Sequence, residues 1–210
     1  YSNLACLDNL KYDYQLVDNK EKMAVLAEKL LVQKFFSLDT ETTGIDPITA
    51  ELVGMSFSFA ENQAFYVPVP ANREEALTIV NIFKPAFENP DSLKIGQNIK
   101  YDLIMLANYG VTLKGKMFDT MIAHYVLQPE LRHGMDYLAE IYLKYETIKI
   151  EELIGAKGKK QGNMRDLAPE AVYKYACEDA DVTLKLKQVL ENELETNGVK
   201  KLFEEIEMPL

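Results

Sequence analysis

The segment FFSLDTET, residues 35–42, decides the fold, because it begins as an apolar strand and ends on two acids. Asp39 and Glu41 stand two residues apart in it. Side chains alternate along a strand, so these two share a face, with attachment points ~6–7 Å apart. We therefore expect two carboxylates on one face of a central strand. The alternative is a strand that ends in a solvated turn, where acids are common.

The surrounding sequence predicts an α/β fold. Strand patterns at 35–40, 52–59 and 64–69 are separated by turn-rich stretches, which favours an antiparallel meander. Beyond this meander, helices and short strands alternate: helices near 73–87, 98–109, 120–127 and 136–145, with strands at 93–96 and near Met117. A loose polar start, residues 1–20, leads into a helix at 21–33, and the last helix begins at Pro169 and runs toward Gly198. These patterns predict a mixed sheet flanked by helices.

The composition is that of one soluble globular domain. The 210 residues are 48% hydrophobic and 27% charged, with a formal net charge of −10. No stretch approaches the ~20 apolar residues that cross a bilayer. The negative charge argues against binding nucleic acid by bulk electrostatics, although local basic contacts stay open. Cys6 and Cys177 show no disulfide or zinc spacing, which is typical of a reduced cytoplasmic protein.

Two further acids lie in apolar helix patterns. Asp102 stands three residues after Ile99 and four before Leu106, on or beside a buried stripe. Asp179 falls in the middle of the apolar face of the last helix. A buried charge costs roughly several kcal/mol unless it is paired or bound to a metal. The alternative for each helix acid is a buried salt bridge to Lys or Arg.

Together the four acids predict a site for hard divalent cations. Two from a strand and one from each of two helices can converge on one cleft, where they would repel one another without cations. Oxygen ligands select Mg²⁺ or Mn²⁺ over zinc. Two such ions ~3.5–4 Å apart form the arrangement that cleaves phosphodiesters.

Three motifs, LDTETTG, GQNIKYDLIML and YKYACEDAD, resemble those of the proofreading exonuclease family that removes nucleotides from DNA 3′ ends. The last motif contains Tyr175, the mark of the tyrosine subclass; the histidine of the sister subclass would stand at Lys174. The phrases GQNIKYD, FDTMIAHYVLQP and MDYLAEIYL are similar to the exonuclease domain of bacterial DNA polymerase I. The resemblance covers roughly residues 33 to 195.

The resemblance implies a ribonuclease H-like fold: a mixed five-stranded sheet, its first three strands antiparallel, with helices on both faces. It implies that the four acids bind two Mg²⁺ or Mn²⁺ ions and that Tyr175 orients the attacking water. It also implies substrate contacts at Thr40, Ile45, Gln97, Asn98, Tyr101 and Arg132. The simpler explanations are a helix N-cap for Asn98, core packing for Tyr101 and Ile45, and a surface cation for Arg132. Where the family can place an aromatic, this chain has Ile150, which would weaken stacking on a base.

The expected organisation is a lead-in segment and helix (1–32), an exonuclease domain (33–197) and the truncated start of a polymerase domain (198–210). With no initiating Met before Tyr1 and no leader, we expect a piece of a larger protein. By itself the chain should be a monomer with a single-stranded DNA 3′ end as substrate. Two alternatives remain, an RNA-trimming exonuclease of the ribonuclease D kind and a non-catalytic scaffold. The loop GAKGKKQG (155–162) has two possible interpretations: a mobile solvated loop, or a segment that contacts the DNA backbone.

Overall fold

The computed structural model describes residues 3–209, so Tyr1, Ser2 and Leu210 lie outside the described part of the predicted lead-in and C-terminal segments. The strands are β1 Asp13–Leu16, β2 Phe35–Thr42, β3 Leu52–Ala60, β4 Gln63–Pro68, β5 Leu93–Gly96 and β6 Met117–Asp119. The α-helices are α1 Lys20–Leu31, α2 Arg73–Phe87, α3 Ile99–Ala107, α4 Thr120–Leu127, α5 Met135–Leu138, α6 Ile150–Ile154, α7 Pro169–Thr196 and α8 Lys200–Leu202. Short 3₁₀ turns span Leu7–Asn9 and Met164–Asp166, and π turns span Ala139–Leu143 and Phe203–Glu207.

The strands form one mixed sheet in the order β1-β4-β3-β2-β5-β6. β2 pairs antiparallel with β3, and β3 antiparallel with β4, which confirms the expected meander. β5 and β6 continue the sheet in parallel with β2. The acid-bearing strand therefore lies in the interior of the sheet. Because β5 and β6 run parallel to β2, helices α3 and α4 begin at the same end of the sheet as the C-terminal end of β2.

The expected sheet had five strands, and the structure has a sixth, β1, within the predicted loose start. Its register pairs Asp13 with Gln63 and Leu16 with Tyr66, parallel to β4. The buried Tyr14 hydroxyl donates to Asp181 Oδ2 at 2.6 Å, a partner on α7. A four-residue strand with two polar side chains has a weak local pattern, so its pairing depends on these distant residues.

Helices cover both faces of the sheet. Helices α1, α2 and α3 pack on one face, in a core that includes Leu26, Phe36, Leu38, Phe57, Val80, Phe83 and Leu106. Helix α7 crosses the other face and contacts β1 to β5. Phe36 and Leu38 face the first layer, whereas Ser37 faces α7 and donates to the Ala180 carbonyl at 2.7 Å. By alternation, Asp39 and Glu41 share the α7 side and Thr40 the α3 side.

The long helix α7 begins at Pro169, as the sequence predicts, and runs to Thr196. Its buried face includes Cys177, whose thiol lies 3.9 Å from the Gln15 carbonyl of β1. Both cysteines are free thiols, and Cys6 is half-buried. None of the helices within residues 3–209 is long and apolar enough to cross a membrane.

Beyond α7, the C-terminal segment contains α8 and the π turn that follows it. Phe203 is buried and its ring lies 4.9 Å from that of Phe118 in β6. The C-terminal segment thus packs on the edge of the same sheet. The domain boundary at 197/198 stays a prediction.

Candidate metal centre and active site

Three carboxylates meet at the C-terminal end of β2. One oxygen each from Asp39, Glu41 and Asp179 lies within 4.8 Å of the others. Glu41 and Asp179 are buried, and Asp39 is half-buried, so the cluster is reachable from solvent at Asp39. The alternative that Asp39 and Glu41 stand in a solvated turn is therefore wrong, because both lie within β2 and Glu41 is buried.

Among the described residues, the cluster has an unsatisfied oxygen and no basic partner. Glu41 Oε1 is buried without a hydrogen-bond partner among the described residues. Within residues 3–209, no Lys or Arg forms a salt bridge with Asp39, Glu41, Asp102 or Asp179. Buried polar atoms are normally paired, so Glu41 Oε1 is available to a cation. An all-carboxylate donor set of this kind fits a hard divalent ion.

Asp102 approaches from the other face of the sheet and stands outside this triad. It is buried near the start of α3, and its Oδ1 accepts from the Thr40 backbone N–H at 3.0 Å and from the Thr40 hydroxyl at 2.6 Å. Thr40 stands between Asp39 and Glu41, so these bonds fix Asp102 beside the strand that carries the triad. Of the four predicted acids, the structure brings three into one cluster and holds the fourth next to it through Thr40.

Burial raises the pKa values of all four acids, and repulsion from the other acids of the site adds to the rise for Asp39, Glu41 and Asp179. Desolvation is the largest cause for each of them. For Asp39, the charges of Asp179 and Asp102 raise the pKa further, whereas the bonds from Thr40 oppose the rise at Asp102, whose pKa is about 7. Without a cation the cluster therefore keeps its protons to higher pH than ordinary carboxyl groups do.

Tyr175 lies one helical turn before Asp179 on α7. Desolvation raises the pKa of its phenol far above the ordinary value, and the charges of Asp179, Glu41 and Asp39 add to the rise. The phenol therefore stays protonated at neutral pH. A protonated phenol donates a hydrogen bond, and it does not act as a general base.

The predicted substrate-contact residues on the α3 side differ in whether their side chains are already hydrogen-bonded within the protein. The Gln97 amide donates to the His133 carbonyl at 2.7 Å and accepts from the Thr120 hydroxyl, so both ends are engaged. Asn98 is exposed and has a left-handed backbone with φ 57°, and its side chain makes no capping bond. The N-cap explanation for the Asn98 side chain is thus wrong. Thr40 is buried and turned toward Asp102.

The turn after β2 presents an exposed apolar side chain, Ile45. The half-buried Tyr101 hydroxyl contacts the Thr42 hydroxyl and donates to the Gly44 carbonyl, each at 2.5 Å. The next residue, Ile45, is 97% exposed, so core packing is the wrong explanation for it. Arg132 is exposed in the loop before α5. Their roles as substrate contacts stay predictions.

Sequence reasoning missed Asp119, the last residue of β6. Its carboxylate accepts from Asn98 N at 2.9 Å, Ile99 N at 3.0 Å and Met121 N at 2.9 Å. One side chain therefore caps both α3 and α4, and α3 carries Asp102. An acid between a strand and a helix at 119 was a visible N-cap signal for α4, but its bonds to α3 depend on the sheet order.

Comparisons of sequence show one family, and comparisons of structure show a shared fold. The family described as 3′-5′ exonuclease matches residues 14–195. DNA polymerase I of Pseudomonas aeruginosa is 40% identical over 209 residues, which is 94% of this chain and 23% of that protein. Among solved structures, Brucella melitensis NrnC has a TM-score of 0.70 at 22% identity, covering 92% of this chain and 86% of that one. Escherichia coli RNase D has a TM-score of 0.65 at 20% identity, covering 89% of this chain and 46% of that one.

The sheet order and the acid cluster at the end of β2 define a ribonuclease H-like exonuclease fold, which confirms the expected fold class. More narrowly, the chain belongs to the 3′-5′ exonuclease family of DNA polymerase I, whose activity depends on divalent metal. It spans about a quarter of the length of the curated relative described above.

Proposed function

We propose that the chain removes nucleotides from the 3′ ends of single-stranded or frayed DNA, releasing nucleoside 5′-monophosphates with two Mg²⁺ or Mn²⁺ ions. The observation that carries this proposal is the unpaired carboxylate triad at the end of β2. Family membership supplies the direction of the reaction. The polymerase domain of the same full-length chain is the proposed partner, and the cytoplasm the proposed location, because the curated relative is a DNA polymerase.

Each residue of the site has a task in this proposal. Asp39, Glu41 and Asp179 hold the cations, and Asp102, fixed by Thr40, completes the ligand set. When bound, divalent cations supply charge for the transition state and lower the pKa of water. The Tyr175 phenol donates the hydrogen bond that aligns the nucleophile with the scissile P–O bond. In this proposal Ile45, which is exposed on the turn after β2, contacts the terminal base.

Digestion of matched DNA and RNA single strands tests the proposal. With Mg²⁺ or Mn²⁺, a 5′-labelled DNA strand should shorten stepwise from its 3′ end, and EDTA should stop the reaction. Faster shortening of the RNA strand would support the ribonuclease D-like alternative, which shares the fold. No shortening of either strand would support the scaffold alternative.

Asp39→Ala is the matched control for this digestion. It removes one member of the triad and should abolish cleavage. Because it also removes repulsion between buried acids, the metal-free variant should melt no lower than the parent chain. Undiminished cleavage by this variant would contradict the metal assignment.

Paired ends provide a second control. If the site accepts only a single strand, blunt duplex ends should be degraded more slowly than frayed ends, because bases must first unpair. Equal rates on the two substrates would contradict the single-strand requirement.

A further inference from the structure

The loop of residues 155–162, here called the Gly/Lys loop, is a closed turn. Gly162 N donates to the Ile154 carbonyl at 2.7 Å, and Gln161 Nε2 donates to the Gly155 carbonyl at 3.2 Å. Gly155 and Gly158 have φ of 89° and 142°, which L side chains rarely adopt. One backbone bond and one bond from the Gln161 side chain therefore close the base of the loop.

Both ends of the segment that carries this loop are attached beside the carboxylate triad. Before the loop, Ile148 N donates to Glu178 Oε1 at 2.7 Å, and Glu178 directly precedes Asp179. After the loop, the Asn163 amide lies 3.4 Å from the carbonyl of Thr43, two residues beyond Glu41.

Arg165 fixes the same end of the segment to the sheet. Its guanidinium donates to the Leu52 carbonyl at 2.6 Å and to the Val69 carbonyl at 2.5 Å. Leu52 pairs with Thr42 across β2 and β3. The Gly/Lys loop consequently emerges at the end of the sheet where the triad lies.

The loop concentrates positive charge in an acidic chain. Lys157, Lys159 and Lys160 are exposed, and none of them forms a salt bridge within residues 3–209. No acid occurs between Glu152 and Asp166, although the net charge of the chain is −10. The triad itself repels the phosphates of a nucleic acid strand. Cations beside it would offset that repulsion where the strand must pass.

We propose that the Gly/Lys loop binds the phosphates of the DNA strand upstream of the terminal nucleotide. This proposal rests on the proposed exonuclease function and adds a binding site to it. Single-stranded nucleic acid is held by positive grooves that follow its backbone, and Lys contacts to phosphates release counterions. The loop should therefore increase affinity for longer strands in a salt-dependent manner and leave the chemical step alone.

The test is the triple variant Lys157→Gln, Lys159→Gln, Lys160→Gln in the whole chain. Its Kd for a 5′-fluorescent oligo-dT of about 12 nucleotides is measured by anisotropy in Ca²⁺ at several salt concentrations, with a gel to show that the strand stays intact. The Kd should rise roughly tenfold at low salt, and the slope of log Kd against log salt should fall by roughly 0.7 for each phosphate that no longer binds a lysine. In Mg²⁺, KM for cleavage should rise in parallel while kcat is unchanged.

The matched control is Lys34→Gln, Lys114→Gln, Lys116→Gln. These exposed lysines precede β2 and β6, so they lie at the opposite end of the sheet, and the change in charge is the same. The control should keep the Kd and the salt slope of the parent. A second variant, Lys157→Arg, Lys159→Arg, Lys160→Arg, keeps the charge and should bind like the parent.

Two results would overturn the proposal. One is a loop variant with the Kd and salt slope of the parent; the other is an equal weakening of binding in the control, which would show an effect of net charge alone. Failure of the parent to shorten DNA would instead contradict the proposed function, so the two failures are distinguishable.

Discussion

Some side chains of the site share a face because of the periodicity of one strand or helix, and others meet through contacts between elements that are distant in sequence. Asp39 and Glu41 share a face because strands have a period of two, and that was readable from the sequence. Asp179 was readable from the helical period of α7. The bond between Thr40 and Asp102 was not, because it depends on how α3 lies against the sheet. Local periodicity predicted the four acids and left their mutual geometry open.

Tyr175→Phe tests the hydroxyl of the phenol at this scale. The change keeps the ring on α7 and removes one hydrogen-bond donor. Cleavage should slow by roughly one to a few powers of ten, because positioned groups of this kind contribute on the order of 10²–10⁴ in rate, while Mn²⁺ binding is unchanged. Single-turnover rates at saturating Mn²⁺ measure it. Tyr173→Phe removes a hydroxyl two residues earlier and should have parent rates; a Tyr175→Phe variant equally fast would reduce Tyr175 to packing.

Among the elements, the helices that follow strands were well predicted and β1 was not. The sequence predicts a helix at 73–87, and α2 spans the same residues. An amphipathic helix of this length can be recognised from the spacing of its apolar residues alone. β1 has four residues, and its parallel partner β4 lies nearly fifty residues away in sequence. Its position depends on Tyr14 reaching Asp181, a contact that local sequence does not encode.

Asp119→Ala should destabilise the chain at the junction of three elements. The variant leaves the N–H groups of Asn98, Ile99 and Met121 without their acceptor. Loss of one N-cap costs ~1 kcal/mol, so a cap shared by two helices should cost ~2–3 kcal/mol. Urea denaturation measures the free energy of unfolding. Asn19→Ala removes the single cap of α1 and should cost about half as much. Equal losses for the two variants would contradict the double cap.

For the whole molecule, the carboxylate cluster links stability to pH and metal. Burial raises the pKa of each acid in the folded chain, that of Asp102 to about 7, above its value in the unfolded chain. Between the unfolded and folded pKa values, the folded state binds more protons, so metal-free stability falls as pH rises. A bound cation removes this penalty because the acids stay ionised beside it.

We therefore expect the melting temperature in EDTA to fall as pH rises from about 4 through 7. With Mg²⁺ or Mn²⁺ the fall should be smaller, so the difference between the metal-loaded and metal-free melting temperatures should widen with pH. Thermal melts by circular dichroism at several pH values measure both curves. A difference that does not depend on pH would contradict the assigned link between the cluster and the metal.

The rate at which a thiol reagent modifies Cys177 should report how often α7 separates from the sheet. The Cys177 thiol is buried under β1, and desolvation raises its pKa, so a thiol reagent should reach it only when α7 separates from the sheet. Cys6 is half-buried and should be modified first. Since Asp179 lies half a helical turn beyond Cys177, a cation that ties Asp179 to β2 should slow modification of Cys177 and leave Cys6 unchanged. Mass spectrometry of the two peptides over time measures the two modification rates. A lower rate at Cys177 with an unchanged rate at Cys6 would indicate bound metal without any nucleic acid present.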